Sequence, residues 1–103
     1  MEIIQKLSAM IDEEIGDAEK YARAALDAKA DQPKLAELFS RLSGEEMTHM
    51  ELLHGAAAEI IADYRREKGD PPAAMMAVYD YLHKKQIDHA ARVKALQSMY
   101  KDQ

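Results

Sequence analysis

The 103-residue sequence predicts an all-α fold: an antiparallel hairpin of two long helices followed by a third helix. Three features predict it. Apolar residues recur every three or four positions through three long runs, as one buried face of a 3.6-residue helix requires. Two breaker segments, "ADQPKL" and "EKGDPP", separate the runs. No segment alternates apolar and polar residues as a half-buried strand does.

The first run covers residues 2–29, with Ile4, Leu7, Ile11, Ala18, Tyr21, Ala25 and Ala28 on one stripe. In "ADQPKL", Asp31 or Gln32 is placed to cap a new helix. Pro33 suits its first turn, where a missing N–H breaks no intrahelical bond. The second run, 33–68, carries Leu35, Leu38, Phe39, Leu42, Leu53, Ile60 and Tyr64. Gly44 and Gly55 lie inside it. Each lowers helix propensity by roughly 1 kcal/mol against Ala, which allows a bend or a close packing contact there. Gly69 is placed to end this run, Asp70 to cap the next helix and Pro71 to open it. The third run, 72–101, has Met75, Tyr79, Leu82, Val93, Leu96 and Tyr100, with Gln86 and His89 as polar positions on the same stripe.

A chain of this length forms one domain, residues 1–103. Its 48% hydrophobic and 32% charged residues describe a soluble globular protein rather than a disordered one. The formal charge is -5 and no Lys/Arg run exceeds two residues, so no nucleic-acid partner is expected. The absence of cysteine excludes a disulfide framework, an iron–sulfur cluster and a thiolate zinc site. The opening segment "MEIIQKLSAMIDEEIG" places acids within its apolar pattern, unlike a signal peptide or a spanning helix. No membrane partner and a cytoplasmic location are the expectation. Three helices leave a wide apolar stripe partly open, and seven Met suit an adaptable packing surface. A homo-oligomer, a dimer or larger, is the expected remedy.

The segment "LSGEEMTHMELLHGAA", residues 42–57, contains both Glu46-x-x-His49 and Glu51-x-x-His54. With ten Glu and four His, roughly 0.4 such pairs arise by chance, so spacing alone decides nothing. Position around the helix does. At 100° per residue, Leu35, Leu42, Leu53, Ile60 and Tyr64 fall within about 40° of Glu46, and His49 lies about 60° away on the same stripe. Glu51 sits about 140° round and His54 about 80° round, which assigns that pair to the outside and the flank. On the first helix, Leu7, Ala18, Tyr21 and Ala25 lie within about 40° of Glu14, whereas Glu19 is about 140° away. Glu14 and Glu46 stand about 22 and 20 Å from the hairpin turn, so their carboxylates face each other at one level.

A buried Glu held by hydrogen bonds beside a satisfied core His is one account of these positions. The other begins from the pair of inward acids. Two anions at one level repel unless a proton or a cation lies between them. Two carboxylates and an imidazole form half a site for a transition metal such as Fe(II) or Mn(II). In the third run, His83 is on the flank, Asp80 faces out and His89 faces in, as a ligand, a supporting donor or an interface residue.

These residues resemble the rubrerythrin-like branch of the ferritin-like superfamily. The resemblance lies in Glu14-x6-Tyr21-x3-Ala25 followed by "LAELFSRLSGEEMTHMELL", and covers about residues 10–60. It implies that Glu14 is a terminal or bridging ligand, Glu46 bridges two irons, His49 is a terminal ligand, and Tyr21 donates a hydrogen bond to the ligands. Full members of that family have four helices and a second Glu-x-x-His. This chain has one such hairpin, and so resembles the half-size encapsulated ferritins, in which two hairpins form one di-iron site between chains. No encapsulin-targeting peptide is recognisable in "SMYKDQ", and no rubredoxin-type domain accompanies a chain without cysteine. The resemblance implies a ferritin-like four-helix arrangement completed by oligomerisation. It also implies iron shared between two chains, with manganese or zinc as alternative occupants, and ferroxidase-type oxidation or iron handling. The alternative is a non-catalytic helical oligomerisation module whose metal is structural or absent.

Overall fold

The computed structural model describes residues 1–102 and consists of three helices, α1 (Glu2–Ala28), α2 (Pro33–Lys68) and α3 (Ala73–Asp102). Among the described residues there is no strand, and no helix is long and apolar enough to cross a membrane. The helix ends follow the breaker segments. Gln32 is the N-cap of α2 with Pro33 at its first turn, and the Ala36 N–H donates to the Gln32 carbonyl at 2.9 Å. Gly69 ends α2 at φ +83°, a left-handed conformation that favours glycine, while its N–H donates to the Arg65 carbonyl.

The third helix starts later than the sequence places it. The Met76 N–H donates to the carbonyl of Pro72, so Asp70 does not cap α3 and Pro71 precedes it. A residue followed by proline is driven out of the helical region, and Pro71 is followed by Pro72.

The hairpin α1/α2 is joined through small residues. Ala18, Ala22 and Ala25 of α1 and Ala36 and Ser43 of α2 are all buried. Short side chains at this spacing let two helix backbones approach closely. Ser43 donates to the Ala18 carbonyl at 2.7 Å and accepts from Gln97 of α3 at 2.8 Å. The apolar core lies where α3 crosses this hairpin: Ile11, Ile15, Ala18, Met47 and Val93 form one cluster, and Ile4, Ala57 and Ile61 a second towards the other end. Gln86 of α3 is buried and donates to the Ser8 carbonyl, the Ser8 hydroxyl and Asp12.

The buried residues of α2 define one direction. Ser43, Met47, Ala57 and Ile61 centre about 60° round from Glu46, towards α3. The other half of the apolar stripe is left uncovered: Leu35 is 40% and Leu38 47% exposed. On α1, Ile3 and Met10 are exposed to similar degrees, within about 40° of Glu14. The hairpin therefore has two apolar faces. One is covered by α3; the other is open and carries Glu14, Glu46 and His49.

Gly44 and Gly55 mark neither a bend nor a close approach. Helix α2 runs unbroken through both, and a Cβ at either position meets open space.

Candidate metal centre on the open face of the hairpin

Glu14 projects from α1 and Glu46 and His49 from α2, and the three meet. His49 Nδ1 lies 3.5 Å from Glu14 Oε2 and 3.6 Å from Glu46 Oε1. One ligand atom from each falls within 4.8 Å of the others. An ion about 2.1 Å from each donor holds adjacent donors roughly 3.0–3.4 Å apart, so small side-chain rotations suffice to close the set. Level and direction both follow from the sequence. Equal rise from the turn brings the acids to one height, and the alanine and serine interface brings the helices close enough for them to meet.

The cluster gathers two carboxyl groups around one imidazole. Glu14 Oε2 is buried and has no hydrogen-bond partner, the one such side-chain atom among the described residues. A buried acceptor left unpaired is costly, roughly 1–3 kcal/mol or more for a charged group. Glu46 is pushed up to about 7. The largest cause is the hydrogen bond with Glu14, followed by burial and the Glu14 charge; Asp17 adds to the rise and His49 opposes it. That bond needs a proton on one of the two carboxyls. When both are ionised, Glu14 Oε2 is stranded. The donor set, two carboxylate oxygens and one imidazole nitrogen, fits an ion such as Fe(II) or Mn(II). It supplies three donors, and the His49 side chain is 55% exposed, so the set is open on its outer side.

Tyr21 stands on the same stripe, but its ring stacks on Phe39 at 6.2 Å, and its hydroxyl has no hydrogen-bond partner among the described residues. Glu19 is half-buried against α3. It accepts from His89 of α3 at 2.6 Å and from Arg23 at 2.9 Å, which hold its carboxyl below the ordinary value, Arg23 contributing most. His89 is thereby engaged away from the Glu14 cluster. His54 and His83, both on the flanks of their helices, are half-buried, and their Nε2 atoms are 2.7 Å apart. A wheel with one inward direction misses these pairs, because α1 and α2 each have a second neighbour in α3.

Comparison with family models, with curated proteins and with solved structures gives no match.

Proposed function

We propose that the chain is a ferritin-like di-iron carboxylate protein. Two copies meet through the open faces of their hairpins, and Glu14, Glu46 and His49 of each complete one iron site. The observation that carries this reading is the meeting of Glu14, Glu46 and His49, with Glu14 Oε2 buried and without a hydrogen-bond partner, on a face that no other described helix covers. A two-fold axis supplies the remaining donors without any further residue type. It turns three donors into four carboxylates and two imidazoles, the complement of a di-iron carboxylate site.

The surface of the chain supports a partner. At 6885 Å² it exceeds by roughly 1,000 Å² the ~5,800 Å² expected of a compact protein of its mass. That excess is comparable with the ~800 Å² each partner buries in an interface of standard size. Bringing two such faces together without a cation would place four carboxylates at one point. Metal and assembly are therefore linked.

When bound, the iron pair supplies two one-electron steps, Fe(II) to Fe(III), with O₂ or hydrogen peroxide as acceptor. The protein's part is positional and electrostatic. Glu14 Oε2 offers an unpaired lone pair, Glu46 gives up the proton it shares with Glu14, and His49 Nδ1 faces both carboxylates. Leu35, Leu38, Met10 and Ile3 lie on the same open face, one to three turns from the cluster, and are covered when the second hairpin docks.

Iron loading tests this reading. Anaerobic Fe(II) titration should give about one iron per chain, and exposure to air should produce the near-ultraviolet absorbance of oxidised carboxylate-bound iron. Assembly through the same face with no uptake of iron or manganese would favour the non-catalytic module instead.

A further inference from the structure

Outside the Glu14 cluster, most interhelical polar groups are paired and tie α3 to the hairpin: Ser43 with Gln97, Gln86 with Ser8 and Asp12, His89 with Glu19. The pair His54 and His83 is different in kind. Their rings lie 4.6 Å apart with planes 20° apart, and the two Nε2 atoms face each other at 2.7 Å. Tyr79 stacks on His83 at 5.7 Å and steadies it. A partly open cavity of about 360 Å³ lies beside them, and Glu51, one turn before His54 on α2, lines it.

Two imidazole nitrogens at 2.7 Å tolerate at most one hydrogen between them, so at least one lone pair is directed at the other ring. An ion 2.0–2.1 Å from both would hold the nitrogens about 2.9 Å apart at a right angle and about 3.3 Å apart in a tetrahedron. The observed spacing of 2.7 Å needs to open by about 0.2 Å for the right angle and about 0.6 Å for the tetrahedron that zinc takes.

We propose that His54 and His83, with water from the cavity completing the shell, form a separate zinc site that clamps α2 to α3. Its two imidazole nitrogens, against the single one of the Glu14 cluster, suit zinc. The two sites do not overlap: His49 and His54 leave α2 about 140° apart, one towards the open face and one towards α3. The clamp falls where it has most effect, since α2 and α3 touch each other far less than either touches α1. This site stands whether or not the Glu14 cluster takes iron.

The test uses the full chain, freed of metal, titrated with Zn²⁺ and followed by nitrogen NMR of its four imidazoles, with calorimetry alongside. The expected result is one equivalent of zinc that moves His54 and His83 together to the Nδ1–H form, with Nε2 metal-bound, and leaves His89 unmoved. The same response should persist in Glu46→Gln. His54→Gln should weaken that zinc-binding step by at least about tenfold, since even outer partners of a metal ligand are worth that much. A response confined to His49, no shift at any imidazole, or unchanged affinity in a helical His54→Gln would overturn the proposal.

Discussion

His49 Nδ1 on α2 stands 3.5 Å from Glu14 Oε2 on α1, and that oxygen has no hydrogen-bond partner. The hairpin has brought two carboxyl groups and an imidazole together and left one buried oxygen without a hydrogen bond. The predictions below follow from that and from the packing around it.

Removing one charge of the pair should stabilise the metal-free protein and abolish the response to iron. In Glu46→Gln, the amide can donate to the Glu14 carboxylate without borrowing a proton. Urea unfolding at pH 8 should show a gain of about 1 kcal/mol, the typical value of one added hydrogen bond. The same variant should show no stabilisation by Fe(II), whereas the wild type should show a clear one.

The metal-free protein should lose stability as pH rises from about 4.5 to about 7. Glu46 releases its proton near 4.5 when unfolded and near 7 when folded, so between these values the folded state binds more protons. The contribution is full below 4.5 and gone above 7. His83, held below its ordinary value, acts in the opposite sense on the acid side of 6.5. The difference between wild type and Glu46→Gln isolates the Glu46 contribution. Urea midpoints at pH 5, 6, 7 and 8 should diverge between the two proteins up to pH 7 and run parallel beyond it.

Gly44→Ala and Gly55→Ala should each stabilise the chain by about 0.5–1 kcal/mol, since both sit in unbroken helix with open space where a Cβ would go. Gly69→Ala should do the reverse, because its φ of +83° strains any side chain. Thermal unfolding of the three variants checks the contrast in sign.

Leu38→Lys should separate assembly from folding. Leu38 is 47% exposed on the open face and belongs to neither core cluster. Helical content should hold and the stability of the monomer should change by less than about 0.5 kcal/mol. Self-association should weaken at least tenfold, from burying a charge in the interface.

The boundaries of α1 and α2 and the meeting of Glu14 with Glu46 and His49 are legible in the sequence for the same reason. Both depend on periodicity and rise along two adjacent, antiparallel helices, which a count of residues from the turn supplies. What was not legible depends on α3. Glu19 lies about 140° from Glu14, on the outside of a one-stripe wheel, yet it pairs with His89; His54, about 80° from Glu46 on the flank, meets a partner, His83, that the wheel does not name. A single-helix wheel has one inward direction, whereas a helix with two neighbours has two. The direction of the second is set by how α3 crosses the hairpin, which local periodicity does not encode. Gln86 was legible as an inward polar residue, but its partners Ser8 and Asp12 were not, for the same reason.

The central claim, that one chain holds half a metal site and two chains complete it, is tested most directly by anaerobic sedimentation velocity with and without Fe(II). The account predicts that Fe(II) shifts the chain towards dimer at about two irons per dimer, and that Glu46→Ala removes the shift with its helical content intact. A chain that remains monomeric while binding two irons by itself would contradict it, as would a dimer whose stability is indifferent to iron.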